Sequence, residues 1–221
     1  MQPSSINLVR SSHSWTDADS AAGFVLRYVS PMRRQLVSVL GSNSEADEAL
    51  KKLLAHLVSA GFSKYNKGRL RDFLIKGIRS SAKARIADLP ENERPNVSLD
   101  AIVGDSPEWL AFWRDCLLER SWRALERYEH ANPDMPLYSI LFAMNAQPKA
   151  TTSQLVDAVS RLADRDVDEP TIDRGVANAR TMFAQLIADE VVETLQSPTK
   201  EDVKAEIRSL GLVNAFSGLS V

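Results

Sequence analysis

Residues 44–87 read SEADEALKKLLAHLVSAGFSKYNKGRLRDFLIKGIRSSAKARIA, and this stretch decides the fold class. Its first part, 44–60, places Ala46, Leu50, Leu53, Leu54 and Leu57 at helical spacing and stops at Gly61. Its second part sets Leu70, Phe73, Leu74, Gly77 and Ile78 at the same spacing, which predicts a second helix. Around that stripe stand Lys64, Lys67, Arg69, Arg71, Lys76, Arg79, Lys83 and Arg85, relieved by one acid, Asp72. Such a concentration of positive charge is the footprint of a surface that meets phosphates. It is equally the footprint of a solvated helix face, and charge alone does not separate the two.

The rest of the chain makes this patch local. Among 221 residues, 27 Lys and Arg stand against 29 Asp and Glu, a formal net charge of -2. The protein is therefore not basic throughout, and any contact with nucleic acid must come from one region. Hydrophobic content of 44% and charged content of 25% are those of a globular chain of one large or two small domains. A single cysteine, Cys116, leaves no intramolecular disulfide and no Cys-rich metal site, and its apolar helical setting predicts a buried, inert thiol. His13, His56 and His130 are scattered without ligand spacing, so neither metal nor cofactor is expected. There is no Gly-rich phosphate loop and no Gly-x-Ser-x-Gly elbow. No catalytic constellation emerges, and the expectation is a protein that is not an enzyme. With no apolar run of membrane-spanning length and no charged-then-apolar leader, the expected location is the cytoplasm, away from membranes.

Taken in order, the chain is all-α. Residues 1–14 read as a loose polar tail. Thr16 is a good N-cap for a helix bearing Ala22, Val25, Leu26 and Val29. Pro31 restarts the chain as a second helix through Met32, Leu36, Val37 and Leu40, ending at Gly41. With the two helices of 44–87, this makes an N-terminal helical domain, 15–89. Pro90 and Pro95, among polar residues, mark a linker over 90–105. Ser106-Pro107-Glu108, a cap with Pro at N1 and an acid in the first turn, starts a long helix carrying Trp109, Trp113 and Trp122. Aromatics at this spacing serve as a stacking platform for bases or as core, and core is the better reading. After Asn132-Pro133 comes a short helix with Leu137, Ile140, Leu141 and Met144. A helix capped at Thr152 then turns through 164–168 into a longer one opened by Glu169-Pro170. Two helices joined by a tight turn, the second longer, fit a helix-turn-helix within a second domain, 106–196. Ser197-Pro198-Thr199 recaps a last helix, 200–210, within a C-terminal segment 197–221.

Lys67-Gly68-Arg69-Leu70-Arg71-Asp72-Phe73-Leu74 resembles region 2 of bacterial RNA polymerase sigma factors of the extracytoplasmic-function type, the planctomycete-style branch in particular. Phe24, Tyr28-Val29-Ser30-Pro31-Met32 is similar to the opening of that region, the helix pair after Thr152 to region 4, and the segment ending Glu206-Ile207-Arg208-Ser209-Leu210 to the family's C-terminal tail. The resemblance covers roughly residues 15–214 by order of parts. It implies that the helix over 44–58 docks on core RNA polymerase through Asp47, Glu48, Lys51, Lys52 and Leu54. It implies that Lys67, Arg69, Arg71, Lys76, Arg79, Lys83 and Arg85 hold promoter DNA at its proximal element. Arg174, Asn178, Arg180 and Thr181 would lie on the recognition helix.

Two segments depart from the family pattern. Lys51 and Lys52 stand where members carry Gln-Glu, which reverses the local charge at the polymerase contact. The recognition helix opens on Asp168, Glu169 and Asp173 rather than on Lys and Arg, which removes phosphate contacts. The first functional reading is therefore a sigma-like initiation factor that binds core polymerase and promoter DNA. The alternative is a sigma-derived interaction protein with a protein partner, a polymerase subunit or an anti-sigma regulator, and no promoter to read. Charge complementarity further suggests a closed form in which Asp189, Glu190, Glu193, Glu201, Asp202 and Glu206 cover the basic helix.

Overall fold

The computed structural model describes residues 5–9, 21–60 and 68–219, and nine α-helices lie among these described residues. They are α1 (Ala21–Leu26), α2 (Val29–Leu40), α3 (Asn43–Ala60), α4 (Leu70–Asp88), α5 (Pro107–Ala131), α6 (Leu137–Ala146), α7 (Thr152–Leu162), α8 (Glu169–Glu193) and α9 (Lys200–Ser209). The all-α reading holds for these residues, and no helix among them is long and apolar enough to cross a membrane. Thr16, Gly61, Lys64 and Lys67 lie outside the described residues.

Local chemistry sets most boundaries. Gly41 ends α2 at φ 67°, its N–H donating to Val37 O at 2.8 Å, a left-handed turn that glycine adopts without a Cβ clash. Thr151 caps α7 in a capping box with Gln154, and Thr199 caps α9 in one with Asp202. The Asp168 carboxylate accepts from the Thr171 N–H to cap α8, with Pro170 in its first turn. Three details correct the sequence reading. Thr151 rather than Thr152 is the cap of α7. Pro31 is the third residue of α2 rather than its start, where its missing N–H costs nothing because the first four amides have no partner within the helix. The Ser106 hydroxyl donates to Val103 O instead of capping α5.

The core runs across the expected domain boundaries. One cluster joins α2, α3 and α4 to Trp109, Trp113 and Leu117 of α5, Ile187 and Val191 of α8, Val203 and Ile207 of α9, and Phe216. A second joins Leu125 of α5 to Leu137, Ile140, Val159, Ile172 and Ala179. Helices α5 and α8, each 25 residues and so roughly 37 Å long, run antiparallel through both clusters, tied by the Arg120–Glu190 pair at 2.6 Å. The two clusters therefore meet along the middle of two helices, and the helix after the expected linker 90–105 joins the cluster of α2–α4. The C-terminal segment is part of the core, since Val203, Leu210 and Leu212 are buried. So is part of the expected tail. Ile6 and Leu8 are buried, and Asn7 exchanges two hydrogen bonds with the Gln185 amide at 2.9 and 2.8 Å.

Trp109 and Trp113 are fully buried, as a core role requires, with Trp113 stacked on Tyr28 at 4.8 Å. Trp122 packs among Tyr138, Phe142 and Phe183. Cys116 is buried, and burial pushes its thiol up to about 11, so it carries no thiolate at neutral pH.

Candidate nucleic-acid interface

The basic helix α4 enters the fold through a docked strand-like step. Gly68 takes φ 103°, Arg69 bridges Leu195, and the Leu70 N–H donates to Thr194 O at 2.8 Å. This fixes the first turn of α4 against the end of α8, and α9 covers it. Arg71 points inward with its side chain 1% exposed. Its Nε and Nη2 grip the Glu206 carboxylate at 2.6 and 3.1 Å, and Nη2 also reaches Asp105 Oδ1 at 2.9 Å and Ser209 Oγ at 3.1 Å. Nη1 donates to Gly104 O, and the Arg71 carbonyl accepts from Trp109 Nε1 at 3.3 Å. A buried guanidinium is tolerated only when its donors are filled in this way. The 104–105 segment approaches so closely that a Cβ on Gly104 would lie 1.8 Å from Asp72 Oδ1.

Arg69 is spent alongside it, on Asp72 at 2.7 Å and, more loosely, on Asp105 and Glu206. Burial opposes its charge, but the Asp72 and Glu206 carboxylates hold its pKa above the ordinary arginine value. The Arg71 bond holds the Asp105 carboxyl below its usual range. Of the acids expected to cover the basic helix, Glu206 does so. Glu190 and Glu193 go to Arg120 and Arg27, Asp189 accepts from Gln185, Asp202 caps its own helix, and Glu201 lies 3.7 Å from Lys204.

Arg71 is thus corrected from a DNA contact to a core ion pair. One signal pointed there: Arg71, Ile75, Ile78 and Ala82 share a helical face, and all four are buried. Arg85 pairs with Glu45 across α3. What α4 offers to solvent is a row at i, i+3 and i+7: Lys76 exposed, Arg79 half-buried and Lys83 exposed, none with an ion-pair partner among the described residues.

The remaining candidates are spread over two other surfaces. Asp47 is held bidentately by Arg33 at 2.6 and 3.0 Å, on the α2 side of α3, while Glu48 and Lys51 are exposed. Lys52 lies 3.4 Å from Asp88, and Leu54 is half-buried against the first core. On α8, Arg174 and Asn178 are exposed beside Asp134 and Met135 of the α5–α6 connection, around a shallow hollow. Arg174 Nε donates to Pro170 O and Thr181 Oγ1 to Ala177 O, so both lean on their own helix. Arg180 is exposed on a different face from Arg174, Asn178 and Thr181. Asp134, which the sequence did not flag, adds to the acids already at this end of α8.

Among the described residues no three His, Cys, Asp or Glu side chains stand together as a metal site. No family model, no curated protein and no solved structure matches the chain, so the functional reading rests on its own residues and geometry.

Proposed function

We propose that this chain is a sigma-like transcription initiation factor, with the outer row of α4 on promoter DNA and the exposed face of α3 toward core RNA polymerase. The observation that carries the reading is the row Lys76, Arg79 and Lys83. Among the described residues it has no ion-pair partner, whereas Arg69 at the start of α4 and Arg71 and Arg85 within it are all used inside the fold. Cations kept free on one helical face attract phosphates and add salt-dependent affinity. The α7–α8 pair, joined by a short turn, supports a second DNA contact through Arg174 and Asn178, weakened by Asp134, Glu169 and Asp173 around it.

A second reading, a sigma-derived interaction protein without promoter recognition, is favoured by one observation. Because α5 and α8 pass through both clusters, α4 and α7–α8 cannot separate to reach two distant promoter elements without breaking those helices. The discriminating experiment is a pull-down of bacterial core RNA polymerase with the wild type and with Lys51→Gln/Lys52→Glu. Binding by the wild type supports the initiation factor. Binding by the variant alone supports the second reading, because restoring the acid would then be what the contact needs.

A further inference from the structure

We propose that the groove between α3 and α4 is a docking site for an amphipathic helix of a partner protein, apolar on one face and acidic on its flanks. The groove holds about 430 Å³. Leu53, Leu57 and Phe73 supply its apolar floor, and Lys52 and His56 on the α3 wall face Lys76 on the α4 wall. Along α4 the lining runs from Phe73 to Ala84, close to three helical turns or roughly 16 Å at 1.5 Å per residue. A trough of that length between two helices receives the ridge of a third, the geometry of helix-in-groove recognition.

Charge names the occupant. Among the described residues no acid lines the groove, and a lysine stands on each wall. Asp88 reaches Lys52 from outside at 3.4 Å between exposed side chains, an exchangeable surface pair. Nucleic acid matches the rim but has no aliphatic face for a leucine floor. An acidic amphipathic helix matches both. The polarity is opposite to that of an acidic α3 face presented to a basic partner, and the site lies on the α4 side of α3, away from the Arg33–Asp47 pair. The proposal stands on the groove alone and survives if α4 binds no DNA.

The test uses the full chain and a fluorescein-labelled 15-residue helical peptide with leucines along one face and glutamates on its flanks. A second peptide carries lysines in place of the glutamates. Anisotropy titrations are expected to show the wild type binding the acidic peptide at least about tenfold more tightly than the basic one. Lys52→Glu/Lys76→Glu should invert that preference. Ser80→Trp, which fills the groove without changing its charge, should weaken both peptides, with circular dichroism checking that each variant is folded. Equal affinity for the two peptides, or a preference unmoved by the double reversal, overturns the proposal. So does dodecanoate occupying the groove while neither peptide binds, which assigns it to a small amphiphile instead.

Discussion

Replacing Glu206 by leucine removes the bidentate partner of a guanidinium that water does not reach. In the variant Arg71 keeps Asp105 Oδ1 at 2.9 Å, Ser209 Oγ at 3.1 Å and the Gly104 carbonyl, but loses the two bonds from Nε and Nη2 to the buried carboxylate. Breaking a buried pair from one side costs about 3–5 kcal/mol, because the remaining charge stays desolvated. The surviving carboxylate and carbonyl place this case at the low end, about 3 kcal/mol. For a chain of this size each kcal/mol lowers Tm by about 2–4 °C, so the midpoint should fall by about 6–12 °C. Urea unfolding followed by far-UV circular dichroism measures the loss directly, with an unchanged m-value showing that the native state is still compact. The double variant Arg71→Met/Glu206→Leu should return to within about 1 kcal/mol of the wild type, since an apolar pair of similar volume replaces the ion pair. Asp105, already exposed, then keeps Arg69 at 3.3 Å and water. A Glu206→Leu cost below about 1 kcal/mol, or a double variant worse than the single, would refute the view that this pair holds α9 onto α4.

Three further outcomes follow from single observations. Gly175→Ala places a Cβ 2.3 Å from Ile140 Cδ1 at the α6–α8 contact and should destabilise by about 1–3 kcal/mol in the same urea assay. The carboxyls of Asp105, Asp168 and Asp202 are held below their ordinary values, by Arg71, Thr171 and Thr199 respectively. Their contribution is therefore present above the unfolded-state value of 3.8 and is lost as pH falls through the lower folded values, so the urea midpoint should drop between pH 4 and pH 2. With its thiol pushed up to about 11 and buried, Cys116 should react with a disulfide reagent at pH 8 at least about a hundredfold more slowly in the native than in the urea-unfolded protein.

The elements were legible because their signals are local. Gly41, Pro170 and the Thr199/Asp202 box each act within one turn, and the stripe Leu50, Leu53 and Leu57 names a buried face wherever that face goes. What such a stripe does not carry is its partner. The periodicity of Trp109, Trp113, Leu117 and Leu125 predicts a buried α5, yet nothing in it says that the first three join one cluster and the last another. The polar composition of 90–105 likewise signals a connection. That its end packs on Arg71 depends on a glycine at 104 meeting Asp72, a contact 32 residues distant in sequence. Charge alone places Arg71 at the surface, where charged residues usually are, and only its register with Ile75 and Ile78 marks it otherwise.

The proposed promoter contact rests on the row Lys76, Arg79 and Lys83, which has no ion-pair partner among the described residues. The most direct measurement is the salt dependence of binding to a fluorescent promoter-length duplex, comparing the wild type with Lys76→Gln/Arg79→Gln/Lys83→Gln. If all three contact phosphates, the wild-type slope of log affinity against log salt should be steeper by about 2.7, at about 0.9 per contact. The variant should bind weakly at low salt and keep its thermal stability, since none of the three side chains has an ion pair to lose among the described residues. Equal slopes and equal affinities for the two proteins would contradict the claim and leave α4 a solvated face.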